Sequence, residues 1–229
     1  MSKSPLVSLR SPPPEGAASG SGRPVAGILV TGFEPFGGDT ANSSWAIAEA
    51  LAGERIGDRL VHAACLPCRF DTSEAALREA LRLHRPTLVL ALGQAASRPV
   101  LSFERVAINW IDARIADNAG AQPTDLPVHA RGPAAQFTNL PIKAMAAAAR
   151  EAGAAAEISF SAGSFVCNQL FYALMRALQR RPGVRGGFLH VPALGGAMPL
   201  PLMLAGVRAA LAAALQTQED QHEAAGRLD

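Results

Sequence analysis

The 229-residue chain sets 21 Lys and Arg against 19 Asp and Glu, a formal charge of +2, and neither sign gathers into a run that would grip a polyanion, which argues against nucleic acid as a partner. Apolar residues make up 49% of the chain, enough for one substantial core, yet every apolar stretch is broken by Gly, Pro or charge before the ~20 residues that a membrane helix needs. The three cysteines, Cys65, Cys68 and Cys167, are odd in number and too few for a disulfide framework, which points to a reducing, cytoplasmic setting.

Residues 1–24 are rich in Pro, Gly and Ser, their only apolar run is too short for a secretory signal, and they read as a disordered tail. From residue 25 short apolar runs alternate with helical patterns. This order predicts one α/β domain over residues 25–216, a three-layer α/β/α sandwich around an open, mostly parallel sheet. Strands are expected at 26–31, 60–66, 87–92 and 156–160, and at 187–191, with a further extended segment at 104–111. Helices are expected at 45–52, capped by Asn42 or Ser43, at 73–84 behind Thr72 or Ser73, and at 141–152, 166–181 and 201–216. Residues 116–139, with many Pro, Gly, Asp and Asn, predict a long excursion that would act as a lid, and residues 217–229 a frayed, charged tail.

The junction Ser161-Ala162-Gly163-Ser164 between a strand and a helix places Cys167 in a first helical turn, where free N–H groups and the helix dipole favour thiolate. A buried structural cysteine fits the same local pattern, so a base has to decide. Among five histidines only His62 and His190 fall on expected strands. His190 closes its strand just before Pro192 and follows Cys167 by 23 residues, so a right-handed crossover would make the two neighbours. A satisfied core histidine reads the same way. Glu104 could orient such a histidine, or pair with Arg105 or Arg114. Cys65 and Cys68 have C-x-x-C spacing but no second ligand pair nearby, so zinc is not expected. The glycine-rich 31–38 junction lacks the G-x-G-x-x-G of a dinucleotide site, and its two phenylalanines suit an apolar pocket better than a pyrophosphate.

Four blocks resemble the pyroglutamyl peptidase I family in sequence and order: TGFEPFGGDTANSSWAIAEAL (31–51), GQAASRPVLSFERVAINWIDARIADNAG (93–120), SAGSFVCNQLFYALM (161–175) and GFLHVPALG (187–195). The resemblance implies a cysteine peptidase that removes N-terminal pyroglutamate from peptides, with Cys167 as nucleophile, His190 as general base and Glu104 orienting the histidine. It also implies a lactam slot built from Phe33, Phe36, Ile115, Phe165 and Val166, with Gln94 holding the ring amide through its backbone and Arg114 beside the catalytic group. No metal or organic cofactor is implied, and a homotetramer or dimer is. Cys68 stands at the pocket wall where Thr or Val would be expected. The competing reading is a catalytically idle α/β domain that binds peptide N-termini.

Overall fold

The computed structural model describes residues 27–226, and the tail expected at 1–24 lies outside the described residues. In chain order the elements are β1 (Ile28–Phe33), α1 (Ser43–Leu51), β2 (Arg55–Ile56), β3 (Arg59–Leu66), α2 (Ser73–His84), β4 (Leu88–Gln94) and β5 (Leu101–Glu104). There follow β6 (Val106–Ile108), β7 (Ala135–Phe137), α3 (Ile142–Glu151), β8 (Ala156–Ser159), α4 (Val166–Leu178), β9 (Arg185–Val191) and α5 (Leu200–Gln216).

Seven strands form one sheet in the order β2-β3-β1-β4-β9-β5-β8, and β6 and β7 make a separate two-stranded ribbon. The central strands β3, β1, β4 and β9 are mutually parallel. The runs of β1, β4 and β9 are almost wholly buried because helices cover both faces, which is why ILVTGF and LVLALGQ read as nearly continuous apolar segments without alternation, whereas β3 is only half-buried. One face packs against α2 and α4 through Leu29, Val89, Phe188, Leu170 and Leu174. The other packs against α1, α3 and α5 through Val30, Leu90, Phe103, Met145 and Val207. Three layers result, as the sequence predicts.

Local chemistry fixes the helix that follows β1. The side chain of Asn42 accepts from the backbone N–H of Ser44 at 3.0 Å and caps α1. Gly37 and Gly38 lie at φ +67° and +90°, a left-handed turn that glycine adopts without penalty. A side chain at Gly32 would come within 2.4 Å of the Ser44 carbonyl oxygen, so helix and strand touch backbone to backbone.

Two expectations change. The segment expected to be extended from 104 to 111 is two strands in different sheets, and β5 runs antiparallel to β9. Its loop from β4 is residues 95–100, too short for a parallel crossover, which needs a dozen or more residues. Since β8 is parallel to β5, it also runs against β9, with β5 between them, so no β8–α4–β9 crossover of adjacent parallel strands exists. The C-terminal segment up to residue 226, expected to fray, is largely exposed but tied to α3 by hydrogen bonds. Asp220 accepts from the N–H groups of Lys143 (3.0 Å) and Ala144 (3.2 Å), a cap supplied to α3 from the far end of the chain, and the ammonium of Lys143 donates to the Glu223 carbonyl.

Candidate active site

The antiparallel direction of β5 is what builds the centre of the molecule. Ser102 pairs with His190, and Glu104, two residues on, projects from the same face of the sheet to reach the imidazole diagonally. Nδ1 of His190 lies 2.6 Å from Oε1 of Glu104. With the carboxylate ionised, Nδ1 carries the proton and donates, which leaves Nε2 as the free acceptor. Glu104 is fully buried and His190 is 5% exposed. The ring of Phe188 packs against the imidazole at 5.0 Å between centroids and holds its plane.

Cys167 is the second residue of α4, a helix with no side-chain N-cap. Its thiol sits over Gly93, which pairs with His190 across β4 and β9. A Cβ at Gly93 would stand 2.8 Å from Sγ of Cys167 and 2.8 Å from the Phe188 ring, so this glycine is required for space and not for a special backbone angle. The structure thus brings Cys167, His190 and Glu104 to one place on the α4 face of the sheet. Burial pushes the Cys167 pKa up to about 12, with the Glu104 carboxylate adding to the rise, while the Arg98 guanidinium and the backbone N–H of Cys167 pull it down. The helix start alone therefore does not make a resting thiolate. Desolvation works against the bias of the helix start.

The other two thiols are raised for the same first reason. Burial, helped by the charges of Glu34 and Glu49, lifts Cys65 to about 11, and burial lifts Cys68 further, with Cys167, Glu34 and Asp117 contributing. Above pH 9 the unfolded chain loses thiol protons that the native state keeps, so native stability due to these groups, complete below pH 9, drains away as pH rises. The urea midpoint of the wild type is expected to fall more steeply between pH 8 and pH 10 than that of a Cys65→Ala, Cys68→Ala double variant. Identical pH slopes would show that these thiols do not titrate as described.

An aromatic cluster borders Cys167. Phe165, immediately before α4, contacts Phe36 at 5.3 Å and Phe70 edge-on at 5.1 Å, and buried Phe33, Val166 and Cys68 belong to the same apolar cluster. The wall is tied in place by polar side chains. Asp117 accepts from the Phe70 N–H at 2.8 Å, Glu34 accepts from the N–H of Cys68 at 3.1 Å and from Asn118 at 2.8 Å, and Asn118 also donates to the Pro35 carbonyl. Next to Cys167, Asn168 is fully buried and clamps the 108–110 segment, donating to the carbonyls of Ile108 and Trp110 and accepting from the Ile108 N–H. The excursion of 116–139 is correspondingly stitched down, ending in β7 paired with β6.

The remaining pocket residues are placed less tightly. Gln94 ends β4, with its side-chain oxygen accepting from the N–H and hydroxyl of Ser43 and its amide donating to Asp39. That amide is occupied, so only the Gln94 backbone faces other work. Ile115 is 48% exposed and outside the buried cluster. Arg114 is exposed and makes no hydrogen bond or ion pair among the described residues, although its loop is tied to the junction before Cys167, where Asp112 and Ser164 bond reciprocally. The guanidinium that does meet Glu104 is Arg98, at 2.6 Å, and not Arg105 or Arg114. Phe70, Arg98 and Asn168 are the site residues that the sequence pattern passes over.

A thiol at a helix start, an imidazole at a strand end and a buried carboxylate behind it, set in an α/β/α sandwich, define a cysteine peptidase. Residues 26–217 match the model of the pyroglutamyl peptidase family. The chain is 49% identical over 212 residues to a pyrrolidone-carboxylate peptidase of Cupriavidus taiwanensis, covering 88% of this chain and 98% of that one. It is 49% identical over 203 residues to one of Streptomyces coelicolor, covering 85% and 94%. The crystal structure of pyroglutamyl peptidase I from Bacillus amyloliquefaciens superposes with a TM-score of 0.83 at 38% identity, covering 86% of this chain and all of that one. The chain belongs to the pyroglutamyl peptidase family, and its activity is hydrolysis of an N-terminal pyroglutamyl residue from peptides.

Proposed function

We propose that Cys167, His190 and Glu104 carry out this hydrolysis as nucleophile, general base and orienting carboxylate. The observation that carries the assignment is the 2.6 Å contact between His190 Nδ1 and the fully buried Glu104, beside a strand position left empty for the Cys167 thiol. As the thiol attacks the pyroglutamyl carbonyl carbon, its proton passes to Nε2 of His190, the S–C bond forms and the carbonyl π pair moves to oxygen. Collapse breaks the C–N bond, His190 returns the proton to the leaving amine, and the free peptide departs. Water then adds to the thioester with His190 again taking a proton, and pyroglutamate and the Cys167 thiol are released. The uncapped N–H groups at the start of α4 are the donors for the oxyanion.

The lactam ring is assigned to the slot of Phe33, Phe36, Phe165 and Val166, with Phe70 added and Ile115 at its open rim. The backbone of Gln94 is assigned to the ring amide and Arg114 to the rim beside the nucleophile. No helix of the described residues is long and apolar enough to cross a membrane. Cytoplasmic peptides with an N-terminal pyroglutamate are the proposed substrates. Exposed Ile108 and Phe137 of the β6–β7 ribbon, with Trp110 and Leu126 on the segment that follows β6 and its bridge partner, support assembly into a homodimer or homotetramer. An idle binding domain would have no use for a carboxylate buried against a histidine, which costs stability unless it serves the imidazole.

Variants of the base and its partner test the assignment. His190→Ala removes a group that moves protons and is expected to lower kcat by about 10³-fold or more, whereas Glu104→Gln keeps the shape and disturbs only orientation and imidazolium stabilisation, about 10–100-fold. Wild-type turnover by His190→Ala would refute the role given to that residue.

A further inference from the structure

We infer that Arg98 is a positioning residue for the pyroglutamyl hydrolysis, joining the orienting carboxylate to the loop that carries the nucleophile; the inference rests on the triad reading above. Arg98 lies in the short β4–β5 loop. Its Nη1 donates to Oε1 of Glu104 at 2.6 Å and to the hydroxyl of Ser159 at 3.1 Å, and its Nη2 donates to the carbonyl of Ser161 at 2.7 Å. Ser159 ends β8, and Ser161 opens the junction that leads into Cys167. One guanidinium therefore binds the support of the base and the support of the thiol at once.

Electrostatics makes the same residue matter for the charge of Glu104. The carboxylate is fully buried, its Oε1 is shared between His190 and Arg98, and its Oε2 has no partner among the described residues. A buried carboxylate is costly to leave without a permanent counter-charge. His190 is charged only for part of the cycle, so among the described residues Arg98 is the one permanent cation paired with Glu104. The same charge also pulls down the Cys167 pKa against burial. Arg98 is itself about a quarter exposed, on a groove it lines with Ser97, Ser159 and Ser161, and it does not belong to the aromatic slot. Its loss should leave ring binding alone and disturb the chemical step.

The test is the pH profile of purified variants on a chromogenic pyroglutamyl amide. Arg98→Gln is expected to lower kcat about 100-fold with KM within about threefold, and to move the acid limb of kcat/KM up by about one pH unit or more, because the permanent positive charge beside the base and its carboxylate is lost. Arg98→Lys keeps the charge but not the forked geometry, and should recover kcat to within about tenfold of wild type with the acid limb restored. A merely structural ion pair would cost stability without moving the limb. Wild-type kcat in Arg98→Gln, or a loss of kcat with an unmoved acid limb, overturns the inference. If Arg98→Gln does not fold, Arg98→Lys decides alone: an acid limb at the wild-type position with kcat within tenfold supports it, and a displaced limb or a larger loss overturns it. His190→Ala and Glu104→Gln are measured alongside. Full turnover by both would mean that the triad reading has failed and this inference with it, whereas their loss beside an unaffected Arg98→Gln would sink this inference alone.

Discussion

Cys167→Ala is expected to lower kcat/KM by about 10⁴-fold or more, because alanine keeps the backbone and packing but removes the only atom that forms the covalent intermediate. Folding should survive. Cys167 is partly accessible and the only backbone N–H that its sulfur is seen to engage is its own, so no long-range hydrogen bond is lost with the sulfur. The circular dichroism spectrum and urea midpoint of the variant should match those of the wild type. A serine in the same place is expected to be almost as inactive, since His190 would then have to deprotonate a far weaker acid.

The second large effect is discrimination between N-terminal residues. The α-nitrogen of pyroglutamate is tied into a lactam and is uncharged, so the ring can be desolvated among Phe33, Phe36, Phe70 and Phe165. A glutamyl or glutaminyl residue would bring an ammonium into that slot, where an unpaired charge costs several kcal/mol, and kcat/KM is expected to fall by about 10⁴-fold. Proline keeps the ring but has a charged secondary amine and no lactam carbonyl, so the polar groups assigned around Gln94 are left unpaired and its rate should fall as far. Rates on pyroglutamyl, prolyl, glutamyl and glutaminyl amides of one chromogenic leaving group check this. Comparable rates for prolyl and pyroglutamyl substrates would remove the slot assignment even with Cys167 catalytic.

The parts of the fold that depend on burial were legible residue by residue. Strands such as ILVTGF and LVLALGQ are apolar throughout because both their faces are covered, and the cap at Asn42 sits one residue before the helix it starts. Strand direction was not so plain. LSFE has the same composition whichever way it runs, and only the shortness of the 95–100 connection reveals that β5 must turn back. That turn decides which cation meets Glu104. Arg105 is the chain neighbour and Arg98 the spatial one, because the hairpin-like return folds the loop onto the end of β8. Cys167, His190 and Glu104 could be picked out by resemblance, but the resting state of the thiol could not, because pattern gives the helix start without the degree of desolvation around it. Asp220 was hidden for a related reason: a residue in a polar, charged tail gives no sign that it caps a helix more than seventy residues away.

Reaction of the wild-type enzyme with a thiol alkylator, with pyroglutamyl amide hydrolysis followed in time and the modified residue located by mass spectrometry, bears most directly on the central claim. Activity is expected to disappear in proportion to alkylation of Cys167, to be protected by a non-hydrolysable pyroglutamyl analogue, and to be indifferent to modification of Cys65. Full hydrolysis by protein whose Cys167 is quantitatively alkylated would contradict the account.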